Sequence, residues 1–158
     1  MIDRIVTNTS PLLAFAKMQA LDIIGKLPLA FLCPSEVAAE IRAGTKPGQA
    51  LARPAWLQVM PLAAPLAPLA VAALDAGEAA VIQLALEQGI ALVCIDELKG
   101  RRAAASVGLQ VVGSLGLIGK AKRLGLVPAV RPLVTAARNA GIYYDPKLIE
   151  QFLHSLGE

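Results

Sequence analysis

Histidine is nearly absent from this sequence: His154 is the only one among 158 residues. Serine or cysteine nucleophiles need an activating base. His154 falls on a predicted helix, Pro146 to Leu156, and points away from the apolar side formed by Ile149, Phe152, Leu153 and Leu156. That leaves it a surface residue and leaves nucleophilic catalysis without a base. Cysteine is nearly as scarce. Cys33 and Cys94 sit in apolar runs without metal-ligand spacing, which reads as two buried free thiols in a reducing compartment. Aromatics make up 4% of the chain, and much of the 56% apolar fraction is Ala and Leu, a mixture suited to helices packed closely on a sheet.

Long apolar runs are missing too. The longest uncharged one, Ala55 to Leu74, is interrupted by Gln58, Pro61, Pro65 and Pro68. A spanning helix needs about 20 apolar residues with its backbone bonds kept inside the helix, so no membrane span is expected. The opening Met-Ile-Asp-Arg-Ile-Val has no basic start followed by an apolar run, so no export signal is expected and the predicted location is cytoplasmic. A Gly-rich phosphate loop is absent, because Gly113-Ser-Leu-Gly116 is too short a match. Acids are absent from Leu98 to Tyr144. The same stretch holds Lys99, Arg101, Arg102, Lys120, Lys122, Arg123, Arg131 and Arg138. A basic segment behind an acid-rich front suits a polyanion partner. It equally suits cationic side chains that solvate helix faces.

What is present is a run of short apolar strands alternating with helices. Strands are predicted at Arg4 to Thr7, Leu29 to Cys33, Trp56 to Met60, Ala91 to Ile95 and Gln110 to Val112. Ser10 with Pro11 after it reads as a helix start. Gly44-Thr45-Lys46-Pro47-Gly48 reads as a loop. Asp75 opens a helix that Gly89 stops, and the chain beyond Ser114 is helical with breaks at Gly125, Pro128, Gly141 and Pro146. Apolar strands in this alternation indicate a parallel sheet covered on both faces, an α/β fold in one domain over residues 1–158, with helices about 129–158 appended to it.

In such sheets ligands bind outside the carboxyl ends of the strands, which singles out Asn8, Asp96 and, less directly, Ser114. Asp96 is either a cap for the following helix or a site residue at the sheet edge. Glu78 either closes a capping box with Asp75 or does chemistry. Glu40 shares a helix face with Glu36, a like-charge pair that a cation or plain solvent would relieve. Together, Glu40, Glu78 and Asp96 can converge on a hard divalent cation, which activates water and stabilises phosphate charge. Tyr143 and Tyr144 can stack on bases, but core packing at a loop is the simpler reading.

Four blocks in order carry a family resemblance: Ile5 to Leu13, Cys33 to Ile41, Gly77 to Ala85 and Ile95 to Ala104. Val111 to Gly116 and Ala121 to Gly125 extend it. The chain resembles PIN-domain proteins, in the branch of nucleic-acid-binding proteins related to VapC-type toxins. The resemblance implies a three-layer sandwich with a short central parallel sheet flanked by helices. It implies a Mg²⁺- or Mn²⁺-dependent ribonuclease, the toxin of a toxin–antitoxin pair, held by a small antitoxin and commonly a homodimer. Carried over, Glu40, Glu78 and Asp96 are catalytic acids that ligate metal, Glu97 assists Asp96, and Ser10 falls on a polar position of the motif. Lys99, Arg101 and Arg102 would then meet RNA phosphates. The first acidic position of the pattern falls on Asn8, an amide that can ligate metal but brings no charge. A PIN fold that binds RNA or protein without cutting is therefore the alternative. Asp3 cannot stand in for the missing acid, because it lies at the opposite end of the same strand.

Overall fold

The computed structural model describes residues 2–44 and 50–158. Strand β1 (Asp3–Thr7) leads into helices α1 (Thr9–Lys17) and α2 (Leu21–Gly25), and β2 (Leu29–Pro34) into α3 (Ser35–Ala43). Strand β3 (Leu57–Met60) precedes α4 (Pro68–Ala73) and α5 (Ala76–Gln88), and β4 (Leu92–Cys94) precedes α6 (Leu98–Ser106). Strand β5 (Gln110–Val112) is followed by α7 (Ser114–Arg123), α8 (Arg131–Asn139) and α9 (Pro146–Ser155). The expected loop around Gly44 falls largely on residues 45–49, which lie outside the described residues.

The five strands form one sheet in the order β3-β2-β1-β4-β5, every pair parallel. This is the sheet flanked by helices that the alternation predicts. Ile5, Val6, Leu32, Cys33, Val93 and Cys94 are all buried, as strands covered on both faces must be. Both cysteines are free and buried, as expected. The chain builds outward from β1 in one direction through β2 and β3, then returns to β1's other side with β4 and β5. The reversal point lies between β1 and β4, and a crevice opens there at the strands' carboxyl ends.

Helix α5 packs against β1, β2 and β4 and is buried along nearly its whole first two turns, Gly77 to Ile82. Its small residues allow that close approach. The consequence for function is that Glu78, in its first turn, is carried into the interior. Gly89 closes the helix in the left-handed region (φ 65°), where a side chain is disfavoured.

Helix α1 starts earlier than Ser10 suggests. The N-cap position is Asn8, and its side chain makes no capping bond. Pro11 is tolerated inside the first turn because the first four N–H groups of a helix have no internal partner. Among the described residues no helix is long and apolar enough to cross a membrane.

Candidate metal and nucleic-acid site

The carboxyl ends of β1 and β4 are tied by the Asn8 N–H, which donates to the Cys94 carbonyl at 3.0 Å. Asn8 follows β1 and Asp96 follows β4, so both stand at the crevice. Glu40 reaches it from α3, where its Oε2 accepts the hydroxyl hydrogen of Thr9. Glu78 reaches it from α5.

Each of these three acids lies against a glycine of a later segment. A Cβ on Gly77 would come within 2.5 Å of Glu40 Oε1. One on Gly100 would overlap Glu78 Oε2. One on Gly113 would come within 2.9 Å of both Asp96 Oδ1 and Arg101 Nη1. Real Cβ atoms do not sit that close to a carboxylate oxygen, so the absence of a side chain at all three positions makes room for the acids.

The acids differ in how they are satisfied. Asp96 Oδ1 accepts from the Ser114 N–H at 2.7 Å, so it holds the start of α7 rather than capping α6, whose N-cap is Glu97. Burial raises the Asp96 pKa, against the Ser114 bonds and the nearby Arg101 charge that favour its ionised form. Asp75 caps α5 by accepting from the Glu78 N–H at 2.7 Å. That is one half of the capping box. Glu78 is only 4% exposed, and its Oε2 has no hydrogen-bond partner among the described residues. Burial pushes its pKa up to about 7, with the Asp75 carboxyl and the Glu97 charge adding to the shift. One oxygen each from Asp75, Glu78 and Glu97 lie within 4.8 Å of one another. Glu40 and Asp96 are not members of that set. Asp75 is the residue sequence reasoning passed over, because its capping role explained it fully. The acid pair Asp75-x-x-Glu78 is visible in the sequence, but the approach of Glu97 to it is not.

A family model, DUF3368, described as a PIN domain, matches residues 4–158. The chain belongs to the PIN-domain family. No curated protein and no solved structure matches it. PIN domains are generally nucleases, which fits an acidic crevice at the sheet's carboxyl edge.

This PIN domain has the donor set a hard divalent cation takes. Carboxylate and amide oxygens are its preferred ligands. Asn8 Oδ1, Glu36 Oε1 and Glu78 Oε2 are buried oxygens without a partner, and such groups are uncommon in folded proteins. A cation facing Glu78 Oε2 would satisfy one of them and favour the ionised form that burial opposes.

Beside the acids, the PIN domain has a cleft of about 850 Å³ between α1, the start of α6, the start of α7 and the segment around Tyr144. Ser10 and Arg101 line it, together with Asp96 and Glu97. Ser114 Oγ and Tyr144 OH are buried without a partner. Burial raises the Tyr144 pKa, the neighbouring Ser114 hydroxyl opposes this and the Asp96 charge adds to it, so all three groups share one corner. Tyr143 departs from the core reading and is 81% exposed. Lys99 and Arg102 are exposed on α6, whereas Arg101 is half-buried and donates from Nη1 to the Ile95 carbonyl at 2.8 Å. The basic trio is therefore split between two environments.

Proposed function

We propose that this PIN domain is a metal-dependent endoribonuclease, with Glu40, Glu78 and Asp96 as its catalytic acids and Asn8 as a further oxygen ligand. Asp75 and Glu97 join them in holding Mg²⁺ or Mn²⁺. The observation that supports this best is the buried, unpartnered Glu78 Oε2, raised towards neutrality and grouped with the Asp75 and Glu97 oxygens. A cation bound there would supply positive charge to a phosphodiester and make a water more acidic. The chain's own residues do the rest. Asp96, fixed by the Ser114 N–H, orients its free oxygen at the crevice. Thr9 holds the Glu40 carboxylate in one rotamer. Lys99 and Arg102 stand on the helix that starts at the crevice, where phosphates of a bound strand can meet them.

The test is cleavage of single-stranded RNA by purified protein in Mg²⁺ or Mn²⁺, with chelator and Asp96→Asn as controls. Cleavage that survives both controls would reject the metal mechanism. A second reading, a PIN fold that binds RNA without cutting, rests on Asn8, which removes one charge from the cluster. Asn8→Asp restores it and should tighten Mn²⁺ binding in calorimetry and raise cleavage. Unaltered affinity would remove Asn8 from the ligand set. The biological setting proposed is that of a cytoplasmic toxin, acting as a homodimer and restrained by a small antitoxin. Growth arrest on expression, relieved by a neighbouring small reading frame, tests it.

A further inference from the structure

The cleft beside the acids has a chemistry the cutting reaction leaves unused. Cleavage needs a phosphate at the carboxylates and makes no demand on the bases. Yet the cleft is walled largely by apolar side chains, and at about 850 Å³ it falls in the size range of small-molecule pockets. Two buried hydroxyls without partners, Ser114 Oγ and Tyr144 OH, belong to residues that line it, and Ser114 is only 1% exposed. A hydroxyl both donates and accepts, so this pair can meet either kind of group on a flat polar edge. Tyr143, 81% exposed, stands among the lining residues and offers an aromatic face. The lining also includes two cations, Lys17 and Arg101. The ligand that combines a flat apolar body, a polar edge and flanking negative charge is a nucleotide.

Continuity with the acids selects a nucleotide within a strand. Glu97 contributes an oxygen to the set near Glu78 and also lines the cleft, and Asp96 lines it from the crevice side. A strand with a phosphate at the acids has its neighbouring base at the cleft mouth. We propose that the cleft is a nucleobase subsite that takes one unpaired base adjacent to the scissile phosphate, stacks it on Tyr143 and reads its edge with Ser114 and Tyr144. The proposal rests on the ribonuclease reading for the position of the phosphate. Its consequence is that cleavage has a base preference at one position next to the cut. Stacking alone tolerates any base, and the two hydroxyls supply the discrimination.

The experiment measures binding and cutting separately. Single-stranded hexaribonucleotides that differ at one position, and one that lacks the base there, are titrated against wild type, Tyr143→Ala, Ser114→Ala and Tyr144→Phe. A melting curve accompanies each variant. Ser114→Ala and Tyr144→Phe each remove a single hydroxyl, and the melting curves establish that each variant is folded before its binding is read. Tyr143→Ala should weaken binding of the base-containing strands about tenfold and leave the abasic strand unaffected. Ser114→Ala and Tyr144→Phe should flatten the preference among bases, in affinity and in the cleavage products. Unaltered affinity and base preference in all three folded variants overturn the subsite while the ribonuclease reading stands. Base-selective binding without cleavage in any divalent cation overturns the ribonuclease reading and upholds the subsite. Failure to bind any of the strands overturns the subsite as a nucleotide site, whatever peptide occupies the cleft instead.

Discussion

Two glutamates, Glu78 and Glu158, receive opposite treatment. Glu78 is surrounded by acceptors, the Asp75 and Glu97 carboxylates, and its pKa is pushed up to about 7. Glu158 is surrounded by donors. It accepts from Lys122 Nζ at 2.8 Å, from the Val130 N–H at 2.7 Å and from the Arg131 N–H at 2.9 Å. Burial raises its pKa, but these donors outweigh burial and bring it down to about 2. One site is complete within the chain, so its charge joins α7, the start of α8 and the end of α9. At the other, among the described residues, no cation faces Glu78 and one of its oxygens stays unpaired. A folded chain tolerates such a deficit where something external completes it.

The contrast is broken most severely at Glu78. Glu78→Gln should lower RNA cleavage by at least the ~10–100-fold that loss of an outer partner costs at metal sites. The metal-free protein should nonetheless become more stable at neutral pH. The sign follows from the raised pKa. Between about pH 4.5 and 7 the folded state binds more protons than the unfolded one, so stability falls as pH rises through that window. The loss reaches at most about 3 kcal/mol. Melting curves in chelator should show this slope in wild type and a shallower one in Glu78→Gln, while Mn²⁺ should oppose it. A wild-type stability that rises between pH 5 and 7 would contradict the assigned environment.

Next come the glycines that make room for the acids. Gly77→Ala and Gly100→Ala place a methyl where the Glu40 and Glu78 carboxylates now lie. At Gly77 the obstructed atoms end the flexible Glu40 side chain, which can move while the helix remains; at Gly100 the methyl also comes within 3.0 Å of the buried Ile95 Cγ2. Alanine favours a helix interior over glycine by ~1 kcal/mol. Cleavage should fall roughly 10-fold or more in both, as for other supports of a metal site, with the melting temperature held in Gly77→Ala and lowered in Gly100→Ala, where Ile95 is crowded as well. A collapse in stability with activity retained per folded molecule would show the glycines serve packing alone.

At the complete site the expectation reverses. Glu158→Gln should cost about 1–2 kcal/mol of stability, in line with a lost charge-assisted hydrogen bond, and leave Mn²⁺ affinity untouched. Because the folded pKa is depressed, the wild-type contribution is present above the unfolded value near 4.5 and is lost as pH falls towards 2. Acid unfolding monitored by circular dichroism should separate the two proteins most above pH 4.5 and bring them together as pH nears 2.

The strands were legible because they are short, apolar and closed by polar residues at the functional edge. Asn8, Glu78 and Asp96 stand out by position alone. Burial of Glu78 was not legible, because it follows from α5 packing on three strands at once, and the polar pair that α5 does show, Gln83 and Glu87, lies further along the helix. Asp75 was visible only as a cap. Its place beside Glu78 and Glu97 depends on Glu97, which follows β4, meeting it across the fold, a contact that no spacing encodes. Arg101 and Arg102 are indistinguishable as letters. Only the turn of α6 separates them, placing one against the Ile95 carbonyl and the other in solvent.

That last pair gives the smallest effect and the sharpest test of the basic segment. Lys99→Ala with Arg102→Ala removes two exposed charges from α6. Phosphate contacts of this kind release counterions, with a salt slope of ~0.7 per contact for a single strand. The double variant should bind single-stranded RNA a few-fold less tightly, lose up to about 1.4 from the slope and melt as wild type does. Arg101→Ala should behave differently. It strips the Ile95 carbonyl of a donor and removes the charge that favours ionised Asp96. Its melting temperature should drop and its Mn²⁺ affinity should weaken, alongside any loss of RNA. Filter binding across a salt series, run beside melting curves, resolves the two behaviours. If Arg101→Ala alters only the salt slope, it is a phosphate contact like its neighbours. If the Lys99 and Arg102 pair leaves the slope unaltered, the acid-free stretch solvates a helix face and the strand follows another path.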